Sequence, residues 1–434
     1  VFSWQKLFLY TKYFDMHLKR RTFIDLSVRT AGLGLLGGLS SFSEKIHLPS
    51  QTSLPAATPI STPERESRIA KAQQLLVTNN MKALILDCGT SMLYFTGIDW
   101  WPSERPMVAI IPANGDVRYV CPGFEEGRFR ELITVGKEVY VWQEDESPYK
   151  QIVRALKDAG VQNGNIAIEE RVRFFIMDGI RKEAPQVNCM SGDAVTIPCR
   201  MFKSPAEIAL MQKAADSTIV AMKAGIASLR EGMSSAEFAA VVDEAHHNLG
   251  ARPDFSLGLF GEASAFPHGT TKPRKLMKGD IALMDCGCTV QGYSSDITRT
   301  IVFGAEPTKR QLEIWNLEKE AQAAGFAAAR LGRPCEEVDA AARKVITDAG
   351  FGPGYKIPGL PHRTGHGIGM DGHEWGNMVK GNKLLLQPGM CFSIEPTISI
   401  IGEFGVRHED CVYMTESGPK WFSQPGVSIA QPFV

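Results

Sequence analysis

Apolar residues change their spacing several times along the chain, and the changes mark out a two-part body. From Thr62-Pro63-Glu64 onward, Ile69, Ala72 and Leu76 recur at helical intervals, with Thr62 read as the N-cap and Pro63 as the first helical residue. Short apolar runs follow. Residues 83–86 read as a buried strand, 107–111 and 117–121 as a hairpin around Ala113-Asn114-Gly115, and 139–142 and 166–168 as further strands, with a helix from Ser147-Pro148 to Gly160 between them. This alternation predicts an α/β domain over residues 64–200. Trp100-Trp101 with Arg105 either lines a pocket there or packs as a surface loop. Ser204-Pro205-Ala206-Glu207 is then a capping box opening a long amphipathic helix to about residue 229, and Ser234-Ser235-Ala236-Glu237 repeats the device ahead of a helix that Gly250 ends. Strands at 281–290 and 297–303 follow. Helices 307–330 and 335–349 and strands near 390–397 and 405–414 repeat the order helix, helix, strands. Residues 201–434 are therefore expected to form two structurally duplicated halves whose sheets meet edge to edge, with helices over one face and a site on the other.

The first 45 residues follow a different pattern. Met16 precedes Lys19-Arg20-Arg21-Thr22-Phe23-Ile24 and then an apolar, glycine-rich run over 30–39, the layout of a bacterial export signal with a twin-arginine core. Export to the periplasm is the expectation, with residues 1–15 as upstream readthrough and residues 46–63, rich in Pro, Ser and Thr, as a linker. The competing reading is a basic arm with an incidental apolar patch, because Asp25 interrupts the segment and no small-x-small cleavage site follows.

Composition narrows the function classes. With 434 residues the chain has room for two domains, and 47 Lys+Arg against 48 Asp+Glu leave no basic footprint for nucleic acid. Past the N-terminal region no apolar run is long enough to span a membrane. Nine cysteines without CxxC pairs indicate neither a disulfide framework nor a zinc ribbon.

The candidate chemistry lies in the second domain. Asp285 stands inside the apolar strand Leu283-Met284-Asp285-Cys286-Gly287, where an uncompensated carboxylate costs several kcal/mol. Asp296 follows eleven residues later beyond a glycine turn. The second half adds Thr364-Gly365-His366-Gly367, Ser393-Ile394-Glu395-Pro396 and Val406-Arg407-His408-Glu409-Asp410. Four carboxylates and one imidazole make an oxygen-dominated donor set that suits Mn²⁺, Co²⁺ or Zn²⁺, with enough negative charge for two ions. Strand alternation turns His408 away from Arg407 and Glu409, and Cys286 and Cys288 away from Asp285. The glycine-rich run at 365–372 lacks the Lys-Ser/Thr of a phosphate-binding loop.

Taken together with Phe266-Pro267-His268-Gly269, Gly292-Tyr293-Ser294-Ser295-Asp296-Ile297-Thr298-Arg299-Thr300 and Asp371-Gly372-His373-Glu374, these segments resemble the pita-bread-fold metallopeptidases of the aminopeptidase P and prolidase group over roughly residues 65–430. The resemblance implies a smaller creatinase-like N-terminal domain ahead of a pita-bread catalytic domain. It implies hydrolysis of Xaa-Pro peptide bonds by a metal-bridging hydroxide, two divalent ions with manganese foremost, a peptide substrate with proline after the scissile bond, and a homodimer. Residue by residue, it assigns Asp285 to one metal, Asp296 and Glu409 to both, and His366 and Glu395 to the other. Glu395 would also shuttle the proton, His268 and His373 would stabilise the tetrahedral intermediate and the departing nitrogen, and His362 and Arg407 would shape the substrate pocket. One departure stands out: the family commonly reads HExP where this chain has His373-Glu374-Trp375-Gly376. A small-substrate hydrolase or lyase and a metal-free peptide-binding module are the alternatives, and the complete ligand set argues against both.

Overall fold

The structure is a computed structural model that describes residue 54 and residues 56–434. The expected twin-arginine segment, the apolar run after it and most of the linker's first half lie outside the described residues.

The first domain is a six-stranded mixed sheet. Its elements are α1 (Thr62–Thr78), β1 (Ala83–Asp87), α2 (Thr90–Thr96), β2 (Val108–Pro112), β3 (Arg118–Pro122), α3 (Glu126–Leu132), β4 (Glu138–Trp142), α4 (Pro148–Asp158), β5 (Gly164–Ile168), α5 (Phe174–Glu183), β6 (Val187–Ser191) and α6 (Asp193–Arg200). The strand order is β4-β3-β2-β1-β5-β6. Both faces are covered, which explains the unbroken apolar runs: Leu84 and Leu86 of β1 point into one core with Ile69 and Leu76, while Ala83 and Ile85 point into the other with Ile152 and Ile180. The N-cap of α1 is Ser61, one residue before the expected Thr62, and its Oγ accepts from the Glu64 amide at 3.3 Å. Trp100 is buried and stacks on the exposed Trp101 at 5.1 Å, so the indole pair is a packed surface loop.

The second domain begins with α7 (Pro205–Ala227) and α8 (Ser235–Asn248), both opened by the expected capping boxes. Strands β7 (Arg252–Phe260), β8 (Ile281–Val290), β9 (Tyr293–Ser294) and β10 (Ile297–Val302) form a sheet ordered β10-β8-β7, with β9 on β8. Helices α9 (Lys309–Ala328) and α10 (Glu336–Asp348) open the second half. Its strands are β11 (Gly365–Gly367), β12 (Glu374–Met378), β13 (Cys391–Ile394), β14 (Thr397–Ile400), β15 (Phe404–Arg407), β16 (Asp410–Thr415) and β17 (Gly418–Trp421). They form a five-stranded sheet, β12-β11-β13-β16-β17, and a β14-β15 ribbon.

The halves meet where Thr298 and Glu409 exchange both backbone hydrogen bonds at 3.2 Å, and where Thr300 Oγ1 donates to the Arg407 carbonyl at 2.8 Å. Each long strand expected in the second half is in fact two short ones. The breaks fall at Glu395-Pro396 and His408-Glu409, so the two predicted ligand acids of the second half, Glu395 and Glu409, stand at interruptions of the ladder instead of within it. Proline at 396 has no N–H to continue the ladder.

Candidate metal centre

Asp285 is carried by the middle of β8, Asp296 by the turn between β9 and β10, His366 by β11, and Glu395 and Glu409 by the two strand breaks. The glycines flanking His366 are required by close backbone packing: a Cβ on Gly365 would lie 1.9 Å from the Ser393 carbonyl oxygen, and one on Gly367 would lie 1.7 Å from that of Trp375. Only glycine lets β12, β11 and β13 approach closely enough to bring His366 and Glu395 together.

The ligand atoms of Asp285, Asp296 and Glu409 lie within 4.8 Å of one another, as do those of His366, Glu395 and Glu409. Two sets sharing Glu409 thus contain all five acids and imidazoles expected to hold metal. A third set joins Asp296 and His366 to His373, whose ring stacks on His366 with centroids 3.8 Å apart. All these groups line one cavity of about 760 Å³, together with His268, His362, Arg363, Arg407 and an apolar wall of Phe255, Leu257 and Phe266.

The donor set fits a cation. Asp285 Oδ1 and Glu409 Oε1 are buried and have no hydrogen-bond partner, which would be costly unless something positive faced them. Burial, followed for Glu409 by the charges of Asp296, Glu395 and Asp285, drives the Asp285 and Glu409 carboxyls up, and burial raises Asp296 to about 7. Burial acts on Glu395 in the same direction, but the hydrogen bond and charge of His366 outweigh it and leave this carboxyl below the usual range. His366 Nδ1 donates to the Gly367 carbonyl at 3.1 Å, which directs Nε2 to Glu395 at 3.2 Å and Asp296 at 3.6 Å. These two acids overcome burial and raise the imidazole to about 10, so a positive charge is favoured at this spot. A divalent ion supplies one.

Arg407 lines the cavity, yet its guanidinium is engaged by its own fold: Nε donates to Thr298 Oγ1 at 3.0 Å, Nη1 to the Pro267 carbonyl at 3.1 Å, and Nη2 to Asp285. Thr298 in turn donates to Glu409 Oε2 at 2.8 Å. His362 donates through Nδ1 to the Arg363 carbonyl at 2.7 Å and accepts at Nε2 from Thr397 at 3.0 Å, and burial pushes its pKa below the ordinary imidazole value. Its loop hangs from α10, where Asp339 accepts from the Thr364 amide and hydroxyl and Arg343 donates to the His362 carbonyl at 2.7 Å. His268 is exposed at the rim. Arg363 was not among the expected site residues, although it sits next to His362. Its Nη2 donates to His373 Nδ1 at 3.0 Å, and burial followed by the charges of His366 and Arg363 lowers this imidazole to about 4.

The residues expected to play no chemical part are elsewhere. His408 packs edge-on to Trp315 at 4.4 Å and faces Glu318. Cys286 and Cys288 are buried in the core under α7, and all nine cysteines are free. Gly376 has φ +94°, which proline cannot adopt, so the backbone after His373 differs here from one built on HExP.

Comparison with known proteins agrees with this architecture. Residues 68–202 match the creatinase/prolidase N-terminal domain, and residues 209–416 match metallopeptidase family M24. The chain is 35% identical to an uncharacterized peptidase of Schizosaccharomyces pombe (81% of this chain, 80% of the other) and 32% identical to an Xaa-Pro dipeptidase of Lactobacillus delbrueckii subsp. lactis (81% and 95%). Among solved structures it is similar to a prolidase of Thermococcus sibiricus, with a TM-score of 0.76 at 30% identity over 83% of this chain and 97% of the other. A mixed N-terminal sheet, a two-halved catalytic domain and five convergent metal-type donors thus come with close relatives over four-fifths of the sequence, and the chain belongs to metallopeptidase family M24.

Proposed function

We propose that this metallopeptidase hydrolyses the bond before proline in Xaa-Pro peptides, dipeptides foremost, using two divalent ions. Asp285 would hold one ion, His366 and Glu395 the other, and Asp296 and Glu409 both. The observation that carries the reading is the convergence of these five donors on one cavity with the buried Asp285 Oδ1 and Glu409 Oε1 facing no proton. The dipeptide substrate is supported by relatives at 30% identity or more that are themselves named Xaa-Pro dipeptidase or prolidase. Bound ions of this kind supply Lewis acidity and neutralise developing charge. The oxygen-rich donor set favours Mn²⁺, with Co²⁺ or Zn²⁺ able to substitute.

The protein groups divide the remaining work. Glu395 accepts a proton from the attacking water and returns it to the departing nitrogen. Arg363 can only donate, so His373 Nδ1 is the acceptor of that bond and Nε2 carries the hydrogen. A neutral imidazole with an Nε2–H donor is suited to stabilising the carbonyl oxygen as it becomes negative, and His268 lines the same cavity. His362 and Arg407 border the space for the proline. The family resemblance supports a homodimer as the working unit, and the signal-like layout around Arg20-Arg21, separately, supports export.

Elemental analysis of protein reconstituted with Mn²⁺ tests the centre. About two ions per chain are expected. Asp296→Asn and Glu409→Gln should each lose both, and Asp285→Asn should keep one. Wild-type protein that binds no metal would overturn the assignment.

A further inference from the structure

His373 lies in a tight connection between β11 and β12, and the residues bracketing it are held from the other domain. Asp371, two residues before it, accepts from Thr90 Oγ1 at 2.7 Å, Arg171 Nη1 at 2.8 Å and Arg200 Nη2 at 2.6 Å. Glu374, the next residue after it, accepts from the same Arg200 Nη2 at 2.6 Å and from Lys203 Nζ at 2.7 Å. Glu374 Oε1 also accepts from the Met370 and Asp371 amides at 3.1 and 3.2 Å, closing the loop on itself. Arg200 ends α6, its side chain is 1% exposed, and its Nη1 donates to Ser91 Oγ, which donates to Glu169. Thr90, Ser91, Glu169, Arg171 and Arg200 all belong to the N-terminal domain.

We infer that Arg200 is a positioning residue for His373, and that through it the N-terminal domain sets the imidazole over the metal-type donors. The inference rests on the catalytic role proposed above for His373. A single guanidinium nitrogen bridging carboxylates on both sides of one residue fixes that residue's backbone at two points. A buried cation left with only one of the two acids would release the loop. Domain docking alone would not require this: Arg171, with a side chain 51% exposed, already joins the domains at the rim. Displacing a transition-state donor by about 1 Å lowers turnover by up to roughly 100-fold while leaving substrate affinity largely intact.

The test is a double-mutant cycle on Mn²⁺-loaded enzyme acting on an Xaa-Pro dipeptide, with metal content measured in parallel. Arg200→Met should lower kcat roughly 10- to 100-fold with KM and metal content unchanged, and should cost nothing further when introduced into His373→Ala. Arg200→Lys, whose single ammonium reaches one acid at a time, should fall between. If Arg200→Met does not fold, Arg200→Lys carries the cycle, and the same lack of additivity with His373→Ala is expected on its smaller loss. Equal loss in both backgrounds, or a loss confined to KM or metal content, overturns the inference while leaving the peptidase reading intact. Wild-type kcat in His373→Ala overturns both the role of His373 and its positioning.

Discussion

Thr298→Val isolates one hydroxyl behind the metal-type donors. The substitution keeps shape and volume, and the backbone pairing of Thr298 with Glu409 is untouched because both of its hydrogen bonds are main-chain. What disappears is the donor to Glu409 Oε2 at 2.8 Å and the acceptor for Arg407 Nε at 3.0 Å. Thr298 is fully buried and the valine methyl fills the space of the lost hydroxyl, so no water takes its place. Arg407 Nε is left facing only Glu409 Oε2 at 3.8 Å, beyond hydrogen-bond reach. Glu409 would then swing toward Arg407 and away from Asp296 and His366. Loss of a hydrogen bond that orients a metal ligand costs roughly 10- to 100-fold in affinity, or about 1.4–2.7 kcal/mol. Mn²⁺ titration against a chelator of known affinity measures this directly, and Thr298→Ser, which keeps the hydroxyl, should restore binding to near the wild-type value. A Thr298→Val protein with an Mn²⁺ dissociation constant within twofold of wild type would refute the argument that this hydroxyl orients Glu409.

Gly367→Ala places a methyl 1.7 Å from the Trp375 carbonyl oxygen in the middle of three packed strands, so denaturant unfolding should show a loss of about 3 kcal/mol or more; a loss under about 1 kcal/mol would contradict the packing argument. Burial lowers His246 to about 4 from its ordinary 6.5, so between these values the unfolded chain takes up a proton that the folded chain refuses, and stability falls as pH drops. Wild type should lose about 2 kcal/mol more than His246→Gln between pH 7 and pH 5, and parallel profiles would refute it. Changing Arg20 and Arg21 together to Lys should leave the protein in the cytoplasm of a bacterium that has twin-arginine transport, with its specific activity unchanged; equal periplasmic recovery would count against export by that route.

What was legible in the sequence was what is local or what is costly. The capping boxes at Ser204 and Ser234 involve residues three apart, and both form as read. Asp285 was conspicuous because an acid inside an apolar strand needs a compensating charge. The Ser61 cap was displaced by one because proline is accepted at either of the first two helical positions. Strand β7 has no clear sequence signature: Phe255 and Leu257 face the cavity half-buried, so Arg252–Phe260 lacks the regular alternation of a core strand. The breaks at Glu395 and Glu409 were hidden inside continuous β-type sequence, since only the partner segments, Thr364 for Glu395 and Thr298 for Glu409, take over the hydrogen bonds there. Arg407 reads as a pocket residue by resemblance, whereas its bonds to Thr298 and Asp285 exist only after two halves more than a hundred residues apart have met. The Arg200 clamp is equally invisible from sequence, because Asp371 and Glu374 lie 171 and 174 residues from it.

Cleavage of the bond before proline is proposed to depend on the five convergent donors. Its most direct test is kcat/KM of the Mn²⁺-loaded protein on an Xaa-Pro dipeptide and on the same dipeptide with alanine in place of proline, for wild type and for Asp296→Asn. Wild type should clearly prefer the proline substrate, and Asp296→Asn should lose that activity. Equal cleavage of both dipeptides, or proline-specific cleavage that survives in Asp296→Asn, would contradict the proposal.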